Sequence, residues 1–309
     1  MNKILIIQTR PGIGDAVLFL SAIHQIAKYN QKSKIYLVTK ERSKAKSLLK
    51  DDEYVKNILY VKNRNGRHIK DKLLKYFDLW DLLKHIKFQK SYIFHYSIGH
   101  YLLCRILGIK SIYHYGFIKK NENISKKIFL SVCKWLNIKN FETTSKIFLK
   151  KIKQKNHNNV MIGIGSSGIT RRWSLQKFIS LIETINNKKN YNFYLLAGQN
   201  EEVDAGYIIK NIKKNVKIKS LCTKEIYEIL TYIKNSKLYV GTDSAFMHIS
   251  AGLGVNSFGL FGDTPTNYSD YSNKIFPIMP KGYSSIGHNS NAMNKISVDW
   301  VMTKIKKII

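Results

Sequence analysis

The apolar residues of this chain occur in short continuous runs, each followed by a polar turn and then by a segment with helical periodicity. Residues 4–7 form such a run, residues 10–14 form the turn, and residues 15–23 continue as a helix. A short apolar run without alternation is typical of a strand covered on both faces, as in a parallel sheet. Further strands, with helices between them, are predicted at residues 34–38, 58–61, 91–96 and 111–114.

The same pattern resumes after a polar, lysine-rich stretch at residues 150–159, which we interpret as a linker between two domains. Strands are predicted at residues 160–164, 192–196, 237–240 and 257–261, and helices at 174–185, 201–212 and 224–233. This alternation indicates an α/β fold with a doubly wound parallel sheet in each domain. We expect Rossmann-like domains at 1–150 and 160–296 that face a cleft, and a C-terminal helix at 297–309 that packs back on the first domain.

The composition supports two domains and argues against a nucleic-acid-binding protein. A chain of 309 residues suits two domains of about 150 residues each. The formal net charge is +32, but only seven of the 52 basic residues are arginine, and lysine is spread along the whole chain. We therefore expect no specific nucleic-acid partner. A·T-rich codon usage would produce the same lysine excess, and the remaining charge favours weak, salt-sensitive contact with anionic membranes.

The cysteines and the apolar segments point to a cytoplasmic protein. Cys104, Cys133 and Cys222 show neither paired nor metal-ligand spacing, so we expect reduced thiols. The first residues predict a buried strand rather than a signal peptide, and no run of about 18 apolar residues predicts a transmembrane helix. At most, we expect a peripheral position on the cytoplasmic face of the inner membrane, for which residues 298–302 are the candidate apolar anchor.

The first polar turn contains Gly12, Gly14 and Asp15. Glycines allow a sharp turn and close approach of the backbone to a ligand, and they leave a carboxylate at the start of the helix. Asp15 is a candidate catalytic group, although an aspartate in this position is also a common helix N-cap. The turn lacks the third glycine of a dinucleotide-binding fingerprint.

The second polar turn, residues 163–173, places Ser166, Ser167 and Arg171 after a predicted strand. Short hydroxyl donors and a guanidinium group suit a diphosphate. No Gly-Lys-Ser/Thr sequence follows, so the turn is not a P-loop, and the alternative interpretation is a solvated loop.

The third polar turn, residues 241–254, carries Asp243, Ser244, Ala245 and His248. A helix that begins here presents unpaired N–H groups and the positive end of its dipole, which suit an anion. An ordinary N-cap explains Asp243 equally well, and a lone histidine is more often a satisfied core residue.

A fourth turn follows the strand predicted at residues 192–196. It carries Glu201 and Glu202, which suit ribose hydroxyls or simply start a helix. We see no set of metal ligands in the sequence, so the expected chemistry needs no metal.

Together, these turns resemble the glycosyltransferase family 9 heptosyltransferases of lipopolysaccharide core assembly. Residues 12–15 look like the family's IGD turn, and residues 166–167 and 171–173 look like its hydroxyl pair followed by a basic residue and Trp. Residues 242–248 and 261–265 look like its DTGxxH and FGPT segments. The motifs occur in the family's order along nearly the whole chain.

The resemblance implies a GT-B fold and inverting transfer of heptose from ADP-heptose, without a cofactor or metal, to a glycan or glycolipid acceptor of the lipopolysaccharide core. It implies that Asp15 is the general base and that Arg171 lies near the diphosphate. It further implies that the Ser166, Ser167 and Ser244 hydroxyls and the Ala245 backbone N–H donate hydrogen bonds to the diphosphate. Asp243 would bind sugar hydroxyls, Glu201 or Glu202 would bind the ribose, and His248 would shape the donor site.

Three departures from the family pattern concern the donor. Ala245 replaces a glycine, Arg171 stands where the family often has lysine, and Asp263 and Pro265 change the order of the FGPT segment. Two alternatives stay open: a GT-B transferase with another donor or acceptor, and an inactive sugar-nucleotide-binding protein. The presence of Asp15 argues against the second.

Overall fold

The computed structural model describes residues 1–62, 69–116, 123–150, 158–166 and 168–309. The chain divides into two compact units, Met1–Phe148 and Leu149–Ile309. Most of the predicted linker, residues 151–157, lies outside the described residues. Each unit is built around one parallel sheet, which confirms the predicted fold class.

The first unit contains a five-stranded sheet in the order β3-β2-β1-β4-β5. Its strands are β1 (Asn2–Ile7), β2 (Ser33–Lys40), β3 (Asn57–Val61), β4 (Lys90–Ile93) and β5 (Ser111–His114). Its helices are α1 (Ile13–Tyr29), α2 (Ala45–Leu48), α3 (Ile69–Leu83), α4 (Ile98–Ile106) and α5 (Ile124–Leu136). Every neighbouring pair of strands is parallel.

The second unit contains a six-stranded sheet in the order β11-β10-β9-β6-β7-β8. Its strands are β6 (Asn159–Gly163), β7 (Asn192–Leu196), β8 (Lys217–Ser220), β9 (Leu238–Thr242), β10 (Asn256–Leu260) and β11 (Ile275–Ile278). Its helices are α6 (Leu175–Lys188), α7 (Glu202–Asn211), α8 (Ile226–Lys234), α9 (Ala245–Gly252) and α10 (Val298–Ile305). All of these strand pairs are parallel too.

Each sheet has a point where the order of its strands reverses. In the first unit β1 lies between β2 and β4, and in the second unit β6 lies between β7 and β9. The loops after β1, β6 and β9 therefore start at these points, at the carboxyl edges of their sheets. Open α/β sheets bind ligands at such positions because the loops on the two sides diverge and leave a crevice.

Two edge strands of the second sheet, β8 and β11, were not predicted. β8 alternates Lys217 and Lys219 with half-buried residues, and β11 contains Pro277. An edge strand needs hydrogen-bond partners on one side only, so it tolerates lysine and proline that a central strand would exclude. These strands consequently lack the apolar runs that mark the central ones.

The C-terminal helix, α10, packs against α6 within the second unit. Val301 and Ile305 are fully buried there, and the Trp300 indole donates a hydrogen bond to the Met279 carbonyl at 2.8 Å. Residues 298–302 are therefore not an exposed apolar anchor, and that hypothesis is wrong. Packing of this segment on the first domain stays a prediction. In the described residues no helix is long and apolar enough to span a membrane.

Candidate functional site

Asp15 lies in the first turn of α1, at the carboxyl edge of the first sheet. The helix begins at Ile13, two residues earlier than predicted, and Gly12 is its N-cap. The Gly12 N–H donates a hydrogen bond to Asp15 Oδ2 at 3.2 Å, and Arg10 Nη1 lies 3.7 Å from Asp15 Oδ1. Asp15 therefore caps its own helix and also pairs with an arginine that the sequence analysis did not single out.

The two glycines of this turn have different roles. Gly12 has an ordinary extended backbone, but a Cβ there would lie 2.7 Å from Asp15 Oδ2. Glycine is needed at this position because the carboxylate approaches the backbone closely, not because the turn requires unusual dihedral angles. Gly14 lies inside the first helical turn, so the expectation that both glycines form the turn is wrong for Gly14.

The environment of Asp15 suits a base. Burial raises the pKa of Asp15, while the Arg10 guanidinium and the Gly12 N–H oppose the rise. The side chain is still 27% exposed, so a substrate hydroxyl can reach it. A raised pKa makes a carboxylate a stronger proton acceptor, and the remaining exposure leaves it accessible.

In the second unit, the loop after β6 carries Ser166, Thr170 and Arg171. The Ser166 hydroxyl donates to the Gly168 carbonyl at 2.7 Å, and Ser167 lies outside the described residues. The 3₁₀ turn Ile169–Arg171 follows, and Thr170 Oγ1 donates to Asp263 Oδ2 at 2.7 Å. This bond joins the loop after β6 to the loop after β10.

Arg171 and Arg172 have different partners. Arg172 pairs with Asp204 at 3.3 Å and Glu201 at 3.8 Å, and it is 46% exposed. Arg171 is half-buried and acts electrostatically on Asp243 and Asp263. Of the two arginines, Arg171 is thus the one beside the loops that follow β9 and β10.

The end of β9 is joined to the loop after β6. Thr242 Oγ1 donates to the Gly165 carbonyl. Tyr239 is buried, its hydroxyl donates to the Thr242 carbonyl at 2.9 Å, and it lies 3.3 Å from Ser244 Oγ. A Cβ on Gly163 would collide with the Tyr239 hydroxyl, so glycine makes room for this group. These contacts fix the N-terminus of α9, where Ser244 is the N-cap and Ala245 the first helical residue.

Asp243 is a buried carboxylate beside this helix terminus. Its side chain is 10% exposed. Burial raises the pKa of Asp243 to about 6, while a hydrogen bond with Thr264 and the charge of Arg171 oppose the rise. An ionised carboxylate held in such a site is destabilised when the site is empty, and it gains stability from donors such as sugar hydroxyls.

His248 lies one helical turn after this terminus and contacts Asp243. Its Nδ1 lies 2.9 Å from the Tyr271 hydroxyl, and its Nε2 lies 3.8 Å from Asp243 Oδ1. Burial lowers the pKa of His248 to about 4, so the ring is neutral at physiological pH. The interpretation as a satisfied core histidine is supported, and His248 can affect the site by positioning Asp243.

Asp263 is a polar residue that the sequence analysis did not include among the site residues. Besides Thr170, it accepts a hydrogen bond from the Asn291 N–H at 3.1 Å. Burial acts to raise the pKa of Asp263, but these hydrogen bonds and the charge of Arg171 outweigh it and lower the pKa. Its place in the FGPT-like segment, two residues after a predicted strand, was the available signal. Tyr271 gave none, because it lies in an irregular segment.

The two glutamates after β7 are differently engaged. The Glu201 carboxylate is paired with Arg172 and would lie 2.9 Å from a Cβ on Gly198. Glu202 Oε2 accepts a hydrogen bond from Ser220 Oγ at 3.0 Å. Both carboxylates therefore already have a partner, and a ribose contact at Glu201 or Glu202 stays a prediction.

In the described ranges no three His, Cys, Asp or Glu side chains are close enough to hold a metal ion together. The expectation that the chemistry needs no metal stays a prediction.

The chain is similar to known glycosyltransferases. The family model for glycosyltransferase family 9 (heptosyltransferase) matches residues 135–293, just over half of the chain. A curated relative, lipooligosaccharide heptosyltransferase 2 of Campylobacter jejuni, is 25% identical over 275 residues, which are 84% of this chain and 80% of that protein.

Solved structures with the same fold include family 9 enzymes. The E. coli heptosyltransferase WaaC with ADP has a TM-score of 0.77 and 14% identity, covering 99% of this chain and 100% of that one. A family 9 glycosyltransferase from Veillonella parvula has a TM-score of 0.77 and 14% identity, covering 99% and 97%. This likeness shows the GT-B fold, with its two Rossmann-like units. The extent of the family match shows that the chain belongs to glycosyltransferase family 9, and it is a glycosyltransferase.

Proposed function

We propose that this enzyme transfers a heptose, with inversion and without a metal, from ADP-heptose to a hydroxyl of a lipopolysaccharide-core acceptor. The family description and the curated relative both name heptosyltransferases. Solved structures of the same fold contain ADP or ADP-2-deoxy-2-fluoro heptose. They support an adenine nucleotide sugar as the donor of this chain.

The proposed donor site rests on one observation: three loops at the carboxyl edge of the second sheet are joined by side-chain hydrogen bonds. Thr242 links the loop after β9 to Gly165, and Thr170 links the loop after β6 to Asp263 after β10. Arg171 lies among these loops and acts on two buried carboxylates. Such an arrangement holds a cation and the start of α9 in fixed positions before the donor binds.

The departing diphosphate is stabilised in this proposal by Arg171, the Ser166 and Ser244 hydroxyls and the N–H groups at the start of α9. Ser244 makes no side-chain hydrogen bond to its own helix, so its hydroxyl can turn to a phosphate oxygen. Fixed donors are effective because they need no reorganisation during the reaction, and the loss of one such donor costs about 2.7–4 kcal/mol. The Asp243 carboxylate accepts hydrogen bonds from sugar hydroxyls, with His248 as its positioning residue.

Asp15 is the general base in this proposal. The acceptor oxygen forms a bond to the anomeric carbon, the bond from that carbon to the diphosphate oxygen breaks, and the acceptor proton moves to Asp15. ADP leaves with the electron pair of the broken bond. General-base assistance contributes about 10²–10⁴-fold to such a step. The raised pKa and partial exposure of Asp15 support this role over an inactive binding protein.

Positive charge at the carboxyl edge of the first sheet supports an anionic acceptor there. Lys40 ends β2, and Lys75 belongs to α3. Burial lowers the pKa of Lys75, and the charge of Lys40 lowers it further, so the two ammonium groups repel each other. An acidic group on the acceptor relieves this repulsion. We propose that the reaction occurs at the cytoplasmic face of the inner membrane.

A panel of nucleotide sugars tests the donor. The purified chain is mixed with ADP-heptose, ADP-glucose, UDP-glucose or GDP-mannose, and its melting temperature is measured. In a second assay, heptose-deficient lipopolysaccharide is added and the release of nucleoside diphosphate is measured. We expect ADP-heptose to give the largest stabilisation and the fastest release. Greater turnover with a uridine or guanosine donor would contradict the proposed donor.

A further inference from the structure

Helix α4 has apolar side chains on two opposite faces. On its inner face, Leu103 and Cys104 are buried in the core of the first unit. On its outer face, Ile98, Leu102 and Ile106 are 66%, 54% and 71% exposed. Residues spaced by four positions lie one above the other on a helix, so these three form a stripe. A surface helix of a globular protein ordinarily has polar residues on its outer face.

The neighbouring helix α3 adds aromatic side chains to this surface. The two helices pack together, and the Tyr76 hydroxyl lies 3.0 Å from Ser97 Oγ at the N-cap of α4. Phe77 and Trp80 of α3 are 66% and 38% exposed. We call the outer surface formed by Phe77, Trp80, Ile98, Leu102 and Ile106 the α3–α4 face. Grouped exposed apolar residues of this kind mark interaction sites.

Charge identifies the partner of this face. Residues 74–110 contain six basic and two acidic residues. Both acidic side chains are paired, Asp78 with Lys62 at 3.6 Å and Asp81 with Lys84 at 2.6 Å. With a formal net charge of +32 on the chain, a second copy is repelled and an anionic surface is attracted.

The combination of apolar and basic side chains fits a lipid bilayer better than a polyanion alone. The Lys84 ammonium lies 4.7 Å from the centre of the Trp80 ring. Aromatic rings and lysines sit together at the headgroup level of membranes, where the ring enters the acyl boundary and the ammonium meets phosphate.

We propose that the α3–α4 face docks the enzyme on an anionic phospholipid bilayer. Its apolar side chains enter the boundary between headgroups and acyl chains, and the surrounding lysines bind lipid phosphates. Helix α4 starts at the carboxyl edge of the first sheet, the edge that carries Asp15, so docking brings that edge close to a lipid-linked acceptor. Only this last consequence rests on the proposed function.

Vesicle sedimentation at physiological ionic strength tests the docking. The full chain is mixed with vesicles of phosphatidylcholine, with or without phosphatidylglycerol, in the absence of donor and acceptor. We expect binding to the anionic vesicles. Leu102→Ser combined with Ile106→Ser should lower the partition coefficient at least tenfold, since full burial of one such side chain is worth roughly tenfold or more.

A matched control lies on the other side of the unit. Leu130 of α5 has the same 54% exposure as Leu102, and α5 packs against α1, whereas α4 packs against α3. Leu130→Ser should change vesicle binding less than twofold. Circular dichroism of each variant verifies that the fold is intact. Equal losses of vesicle binding in the Leu102→Ser/Ile106→Ser double variant and in Leu130→Ser, or no loss in either, would overturn the proposal.

Trp80 provides a second readout that does not depend on destabilising variants. Vesicles with brominated acyl chains should quench its fluorescence, and Trp80→Phe should remove most of the quenching. A concentration-dependent dimer that Leu102→Ser abolishes, without vesicle binding by the wild type, would assign the face to a second copy instead. The vesicle assay contains no sugar substrate, so absence of vesicle binding would not contradict heptosyl transfer. The Leu102→Ser variant should transfer heptose to a lipid-free acceptor fragment at the wild-type rate.

Discussion

Replacing Asp243 by asparagine should stabilise the ligand-free protein at neutral pH. Burial raises the pKa of Asp243 from 3.8 to about 6. Each pKa unit corresponds to about 1.4 kcal/mol, so the ionised carboxylate destabilises the folded state by up to roughly 3 kcal/mol. Asparagine is nearly the same shape, keeps an oxygen for Thr264 and carries no charge to desolvate.

The raised pKa of Asp243 determines how the free energy of unfolding changes with pH. Between about pH 4 and pH 6 the folded state holds the Asp243 proton more tightly than the unfolded state does. The free energy of unfolding of the wild type therefore falls as the pH rises through this window and stays low above it. Asp243→Asn lacks this titration. We expect its unfolding free energy to exceed that of the wild type by about 2–3 kcal/mol at pH 7.5, and by about half as much at pH 5.

Urea unfolding at the two pH values measures the difference. Asp299→Asn is the control, because that side chain lies on the exposed side of α10 and the substitution should change the free energy of unfolding only slightly. A variant less stable than the wild type at pH 7.5, or an Asp243→Asn difference independent of pH, would refute the reasoning. The same variant should lose affinity for the donor, because its amide replaces the charged acceptor for sugar hydroxyls.

Three further predictions concern catalysis and donor binding. Arg171→Ala should weaken binding of ADP-heptose at least tenfold and leave adenosine binding nearly unchanged, as measured by calorimetry. Arg172→Ala is the control: it removes an exposed pair with Asp204 and should affect donor binding less. If Arg171→Ala weakened binding of both ligands equally, Arg171 would lie away from the phosphates. Gly12→Ala places a Cβ 2.7 Å from Asp15 Oδ2 and should displace the carboxylate. The transfer rate should then fall at least tenfold, with little change in melting temperature. Gly206→Ala is the control, because a Cβ there meets nothing within 4 Å and should leave the transfer rate unchanged. Transfer should persist in EDTA, and a strict requirement for an added divalent ion would contradict the metal-independent mechanism.

The central strands were predictable because they are covered on both faces. The runs at residues 4–7 and 160–164 are apolar throughout, and their side chains are buried in the structure. The edge strands β8 and β11 were not predictable in this way. Lysine and proline are allowed at an edge, so the apolar pattern disappears where pairing is one-sided.

The position of the candidate site followed from one physical rule, that open α/β sheets bind ligands at the carboxyl ends of their parallel strands. This rule directed attention to Asp15, Ser166 and Asp243 before the fold was known. It could not show that Thr170 meets Asp263 or that His248 meets Tyr271, because those contacts depend on the packing of residues far apart in the chain. The buried state of Asp243 is also a property of packing and has no sequence signature.

The most direct test of the central claim is heptosyl transfer by the wild type and by Asp15→Asn, followed by mass spectrometry of the acceptor and by ADP release. With ADP-heptose and a heptose-deficient lipopolysaccharide core, the wild type should add one heptose for each ADP released. Asp15→Asn should bind the donor equally well but react about 10²-fold or more slowly, because it keeps the helix cap and loses the base. Transfer at the wild-type rate would show that Asp15 is only a cap, and no transfer of heptose by the wild type would contradict the proposed activity.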